Sequence, residues 1–245
     1  MSVLLIDRGN TRLKWRLIQS GQVVSSGVGL KHEPLLAIFS DLDVNAIADV
    51  YVASVADQSF DDEMTEWAVT HGLPKLRFVS SPKAAFGVVN GYEEPSQLGV
   101  DRWLGMVAAH DKLSGNLCVV DVGTALTIDI VLGNGDHLGG YIVPGSELQI
   151  QTLLKNTDKI HIGGENGAMS VGKNTHQAVK LGIKRMLVSF VTQAVTDWER
   201  ELSGPVKLVM TGGGAKELAL SLAIPCYLEE NLVFDGLNMM TGNVE

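Results

Sequence analysis

Two short stretches of this chain carry residue types that handle a phosphate. Asp7-Arg8-Gly9-Asn10-Thr11 follows the apolar run Val3 to Ile6, and Asp121-Val122-Gly123-Thr124 follows Leu117 to Val120. In each, an acid ends a strand, a glycine turns the chain and a hydroxyl follows. An Asp so placed can hold Mg²⁺ directly or through water, the glycine lets backbone N–H groups approach a phosphate, and the hydroxyl donates to it. Occurring twice, the pattern points to two loops closing on one nucleotide.

Each loop needs a hairpin to carry it. Leu13, Trp15 and Leu17 alternate with Lys14 and Arg16, and Leu126, Ile128 and Ile130 alternate with Thr127 and Asp129, which is strand periodicity. Two similar halves follow from this, residues 1–115 and 116–245, divided at the turn Ser114-Gly115-Asn116. The first half continues with a strand punctuated by Gly21 and Gly27 to Gly29, a helical stretch 33–39, a strand 49–54, a helix 61–71 and a strand 76–79. Periodicity lapses from Lys83 to Gln97, where Tyr92 sits among loop-forming residues, and a helix resumes near Leu98. The second half predicts a strand over 139–145, a helix over 147–154, a loop marked by Gly163, Gly164 and Gly167, and a long helix over 175–202. That helix carries a broad apolar stripe, including Ile183, Met186, Leu187 and Val191, which suits an interdomain or dimer interface, although core packing leaves the same pattern. A strand 206–210 then runs through Thr211-Gly212-Gly213-Gly214 into a helix near Lys216, completing a mixed α/β alternation.

Composition narrows the classes of function. With 45% hydrophobic and 19% charged residues, the 245-residue chain has the balance of a globular protein with a substantial core. It has no apolar run of transmembrane length and no signal-peptide pattern, so a cytoplasmic location is expected, without a membrane partner. A net charge of −9 argues against nucleic acid as a partner, and requires a local reversal of sign wherever an anionic substrate binds. Cys118 and Cys226 lie among apolar residues and read as reduced, buried thiols. The six histidines form no zinc-binding spacing.

Taken in order, a set of motifs resembles the type III pantothenate kinases, part of the superfamily of acetate and sugar kinases, chaperone ATPases and actin. It comprises Asp7 through Lys14, Gly99-Val100-Asp101-Arg102, Asp121 through Ala125 with Thr127 and Asp129, Gly139 to Gly145, Gly172-Lys173-Asn174-Thr175, Thr211 to Gly214, and Asn231-Leu232-Val233 with Asp235-Gly236-Leu237. Any one motif is weak; their order along nearly the whole chain is specific. Arg8 departs from the pattern, because the family usually has an aliphatic residue there. This bears on nucleotide affinity unless the side chain points away.

The resemblance implies an α/β protein of two related actin-like, ribonuclease H-like domains, each a mixed sheet with flanking helices, with nucleotide in the cleft between them. It implies ATP-dependent phosphorylation of pantothenate to 4′-phosphopantothenate, the first step of coenzyme A biosynthesis. Read alone, Asp101 is an acid in a helix's first turn, stabilised by the dipole by about 0.3 to 1 kcal/mol. By resemblance it accepts the proton of the substrate hydroxyl, or orients that hydroxyl, since positioning outweighs proton removal in a loose phosphoryl-transfer transition state. Arg102 would pair with the pantothenate carboxylate, Gly99 and Val100 would border the substrate, and Tyr92 would wall it. Thr175 matches a substrate-contacting threonine, and a plain N-cap role is equally open.

On the nucleotide side, the resemblance implies that Asp7 organises Mg²⁺ through water, while Arg8, Gly9, Asn10, Thr11, Arg12, Leu13, Lys14 and Thr124 bind ATP. It places a monovalent cation, K⁺ or NH₄⁺, at Asp121, and makes the protein a homodimer. The alternatives are another small-molecule kinase or phosphatase of the superfamily, and a non-catalytic transcriptional accessory factor that retains the fold. The presence of Asp7, Asp101 and Asp121 counts against the latter.

Overall fold

The structure, a computed structural model, describes residues 2–156 and 171–242. The glycine loop expected at Gly163, Gly164 and Gly167 lies outside the described residues. The chain forms two compact units, one made of residues up to Lys112 together with those from Asn231 onward, the other of Leu113–Glu230.

In the first unit the chain runs through β1 (Ser2–Arg8), β2 (Arg12–Gln19), β3 (Gln22–Leu30), the single turn α1 (Leu35–Ile38), β4 (Ile47–Ser54), α2 (Gln58–Thr70) and β5 (Leu76–Val79). A two-stranded ribbon, β6 (Ala84–Ala85) and β7 (Val88–Val89), precedes helix α3 (Val100–Lys112). The main sheet has the order β3-β2-β1-β4-β5, with β1 antiparallel to β2 and parallel to β4. As a central strand, β1 is apolar on both faces: Leu4 and Ile6 join the core formed with Trp15, Phe39 and Met64, while Leu5 is buried on the other side. Helix α2 begins where the Asp57 side chain accepts from the Phe60 amide, and buries Phe60, Met64 and Ala68 at four-residue spacing.

The second unit contains β8 (Asn116–Val122), β9 (Ala125–Val131), β10 (His137–Pro144), α4 (Ser146–Asn156), α5 (Thr175–Glu201), β11 (Val206–Thr211), α6 (Ala215–Ala219) and β12 (Cys226–Leu228). Its sheet order, β10-β9-β8-β11-β12, repeats the first strand for strand, including the antiparallel hairpin and the parallel neighbour. The duplication expected from the two Asp-Gly-Thr loops is therefore a duplication of topology. The main apolar stripe of α5 is absorbed by this unit's own core, where Ile183, Leu187, Val191 and Val195 pack with Ile128 and Leu208, whereas Met186 is exposed. Asn174 caps α5 by accepting from the Gln177 amide at 2.9 Å, so Thr175 is the first helical residue and not the cap.

The last helix, α7 (Leu232–Met239), returns to the first unit, whereas the division into halves placed it in the second. Its Gly236 lies so close to the Leu104 carbonyl of α3 that any β-carbon would overlap it, and Leu232 and Leu237 are fully buried. Lys112 and Asp235 also pair at 2.8 Å. Both cysteines are free; burial beside Asp129 pushes the Cys118 thiol up to about 12, while Cys226 is only half-buried, less than expected. No helix among the described residues is long and apolar enough to cross a membrane.

Candidate active site

The first loop leaves β1 at Asp7. Strand alternation puts Asp7 and Arg8 on opposite faces, and the ladder sets Asp7 directly across from Lys14 on β2. Burial pushes the Asp7 carboxyl up to about 6; the Lys14 charge opposes that rise and the Asp101 charge adds to it. A desolvated carboxylate with one lysine opposite fits a cation held chiefly by water and phosphate oxygens, since Mg²⁺ usually takes only one or two protein carboxylates. No cluster of three acidic, His or Cys ligands occurs among the described residues. The turn is closed by the Gly9 amide donating to the Arg12 carbonyl at 3.0 Å, and it leaves Asn10, Thr11 and Arg12 exposed.

Two residues expected at the nucleotide have buried side chains on the core face of the sheet, although Arg8 reaches back to one loop carbonyl. Leu13 is buried in the core. Arg8 is 8% exposed and shares the face of Leu4 and Ile6, where its guanidinium lies 4.9 Å from the Phe60 ring centroid and donates to the Gly9 carbonyl.

In the second unit Asp121 is the penultimate residue of β8, between Thr127 of β9 and Thr211 of β11. The loop that follows is bounded by glycines. The Gly145 amide donates to the Thr124 carbonyl and the Gly214 amide to the Val122 carbonyl, each at 2.9 Å. Gly212, at φ +91°, lies so close that a β-carbon would overlap the Asp121 carboxylate. Thr124 is left exposed at the tip. On β9, Asp129 meets His137 of β10 at 2.9 Å in full burial, which gives this histidine a structural partner.

The third element is the turn into α3. A β-carbon at Gly99 would lie 2.6 Å from Asp101 Oδ1, so glycine is what admits the carboxylate here. Asp101 Oδ1 accepts from the Arg102 amide at 2.8 Å, within the first turn of the helix. Val100 is buried. Arg102 is 7% exposed, and its Nη1 donates to the Tyr92 hydroxyl at 2.6 Å with the guanidinium 5.4 Å from the ring centroid. Tyr92, Gly99, Asp101 and Arg102 thus converge within one unit, with Asp101 close enough to Asp7 to raise its pKa. Thr175 stands exposed on α5 of the other unit.

Sequence reasoning missed Asn90 and the role of Gly212. Asn90 is fully buried and its side chain bonds to three backbone groups of the loop bearing Tyr92. An asparagine in an aperiodic, glycine- and proline-rich stretch reads as a turn residue, and only the Asn-x-Tyr spacing hinted at an Asx-type bond to the Tyr92 amide.

Residues 3–197 match the family model described as type III pantothenate kinase. A relative of that name from Alcanivorax borkumensis is 34% identical over 239 residues, covering 96% of each chain. Among solved structures, a Campylobacter jejuni protein described as a Baf family transcriptional activator superposes with a TM-score of 0.63 at 18% identity, covering 98% of this chain and 100% of that one. A Sinorhizobium meliloti protein described as a 2-dehydro-3-deoxygalactonokinase reaches 0.61 at 12% identity, covering 97% of each chain. The structural likenesses establish the fold, that of the actin-like and sugar-kinase ATPases.

Proposed function

The chain belongs to the type III pantothenate kinase family, enzymes that phosphorylate pantothenate with ATP and Mg²⁺, and from that premise we propose that Asp101 receives the acceptor hydroxyl while Arg102 and Tyr92 hold the rest of the substrate. The observation that carries this reading is the Gly99 turn, which places the Asp101 carboxylate beside a buried arginine at the head of α3.

In this account the pantothenate carboxylate pairs with Arg102, whose fork suits a planar anion. Tyr92 fixes the orientation of that fork through its hydroxyl and supplies an aromatic wall. The primary hydroxyl donates its hydrogen bond to Asp101. Its oxygen bonds to the γ-phosphorus as the bond from that phosphorus to the β,γ-bridging oxygen breaks; the proton passes to Asp101, and ADP departs. Because the transition state is loose, most of the acceleration comes from alignment and from positive charge near the phosphates. Backbone amides of Asn10 and Thr11, the Lys14 ammonium and the Thr124 hydroxyl provide it from this chain, with Gly9 letting the phosphate approach the turn and Thr175 as a further contact to the acceptor. Mg²⁺ bound with ATP supplies additional neutralisation, and Asp7 is the carboxylate placed to orient its water shell.

A monovalent cation, K⁺ or NH₄⁺, at Asp121 is part of the proposal, supported by a carboxylate confined between Gly212 and the loop of Gly123. So are a homodimer and a cytoplasmic location. The dimer is supported by exposed Leu138, Tyr141, Ile142, Leu148 and Met186 on the second unit, where α4 buries none of its residues. Mass spectrometry of the product of ATP and pantothenate, with phosphorus NMR to place the phosphate on the primary hydroxyl, tests the reaction. Potassium titration of Asp121→Asn and sedimentation of the wild-type protein test the other two proposals. A reading as a transcriptional accessory factor is less supported, because the likeness to the Campylobacter jejuni protein, at 18% identity, carries the fold alone.

A further inference from the structure

The segment from Ser81 to Gly99 has little regular structure, yet it is tied shut from within. At its neck Ser81 Oγ donates to the Leu98 carbonyl at 2.8 Å. At its centre is Asn90, 0% exposed. Asn90 Nδ2 donates to the carbonyl of Pro82 at 3.2 Å and to that of Pro95 at 3.1 Å, one on each limb of the loop. Asn90 Oδ1 accepts from the Tyr92 amide at 3.0 Å. The Asn90 main chain is engaged as well: its amide donates to the Lys83 carbonyl at 2.9 Å, and its carbonyl accepts from Lys83 Nζ at 3.2 Å.

We propose that Asn90 is a positioning residue for the acceptor substrate: it holds the backbone of Tyr92 so that the phenol meets Arg102. The inference rests on the reading of Tyr92 and Arg102 as the pantothenate pocket. Both Asn90 amide protons are spent inside the loop, so it acts through Tyr92. The chemistry of the three bonds is specific to asparagine. Aspartate would set a carboxylate against two carbonyl oxygens, glutamine is one methylene longer, and alanine leaves two carbonyls and an amide without their partner. Arg102 is buried with the Tyr92 hydroxyl on one arm. A shift of the Tyr92 backbone therefore reorients the group that receives the substrate carboxylate while leaving the nucleotide loops alone.

The test is steady-state kinetics of the wild-type protein, Asn90→Ala, Tyr92→Phe and the double variant, with pantothenate and ATP varied separately. Asn90→Ala should raise KM for pantothenate about tenfold while KM for ATP stays within about twofold. Added to Tyr92→Phe, it should cost less than about twofold more, since both act through one contact. If Tyr92→Phe weakens pantothenate binding and Asn90→Ala does not, or if the two effects multiply, the role of Asn90 is overturned and the pocket stands. If Tyr92→Phe leaves KM for pantothenate unchanged, the pocket reading falls and the role of Asn90 with it. Should Asn90→Ala not fold, hydrogen exchange at the Tyr92 amide of the wild-type protein decides the matter. Protection of about a hundredfold over an unstructured amide supports the bond to Asn90, and exchange at the unstructured rate refutes it.

Discussion

Asp101, at the head of α3, lies close enough to Asp7, at the end of β1, for its charge to help push the Asp7 carboxyl up to about 6. The acid assigned to the acceptor and the acid assigned to the nucleotide therefore lie in one unit, and the charge of the first bears on the ionisation of the second.

A pH dependence follows. Asp7 must be ionised to order a cation's water shell, so KM for ATP should rise as pH falls through about 6, and that inflection should vanish in Asp7→Asn. In Asp101→Asn the Asp7 inflection should shift to lower pH, because a charge that raises it is gone. Binding of ATP analogues measured from pH 5 to 8 checks both; an Asp7 inflection that ignores position 101 would refute the coupling.

The same shift sets a stability effect of opposite sense. A carboxyl raised from 3.8 to about 6 stabilises the fold below its unfolded pKa, and that contribution is lost as pH climbs through the folded value. At pH 8 the ionised, desolvated Asp7 should cost on the order of 3 kcal/mol, so Asp7→Asn should melt higher than the wild-type protein while losing turnover. Calorimetry at pH 8 and pH 4 should show that gain at the first and little at the second.

Arg102→Lys removes the fork while keeping the charge. We expect KM for pantothenate to rise by about tenfold or more, with KM for ATP within about twofold. Equal losses for both substrates would instead mean a general disturbance of α3.

Arg8→Met should leave KM for ATP within about twofold and lower the melting temperature modestly, because the bond to the Gly9 carbonyl and the attraction of Asp57 and Glu63 for the guanidinium are lost. Its guanidinium stacks on Phe60 on the face away from Asp7, and such a contact is worth about 0.5 to 2 kcal/mol. A tenfold weaker KM for ATP in a folded variant would assign the Arg8 side chain to the nucleotide after all.

How far the sequence carried depends on the range of the forces involved. The hairpins were legible because period-2 alternation at Leu13, Trp15 and Leu17 depends only on which face is buried, and the same alternation already separates Asp7 from Arg8. The long helix was legible from its spacing, but its destination was not: nothing local distinguishes a stripe facing its own sheet from one facing a partner. The return of α7 to α3 depends on Gly236 fitting against the Leu104 carbonyl, a contact made between residues far apart in the chain. The loop tied by Asn90 has no periodicity, so its order comes from hydrogen bonds that composition does not report. The chemistry-bearing acids were visible because strand ends and glycines mark them, whereas the groups that hold Tyr92 and Asp121 in place became visible only with coordinates.

The Gly212 contact extends this to the second unit. Gly212→Ala should destabilise the fold by about 1 to 3 kcal/mol, because it adds a side chain at positive φ and against the Asp121 carboxylate. It should also raise the potassium concentration needed for half-maximal activity. Thermal melts and a potassium titration of the variant check the two effects.

The central claim is that this chain transfers phosphate to pantothenate through Asp101. ADP release by the purified protein with ATP, Mg²⁺ and K⁺, with and without pantothenate, measures it most directly when Asp101→Asn is run beside the wild-type protein. The account predicts ADP formation that depends on pantothenate and falls by about a hundredfold or more in the variant, while the variant still binds ATP. Pantothenate-dependent turnover that survives in Asp101→Asn within a few-fold of wild type would contradict it.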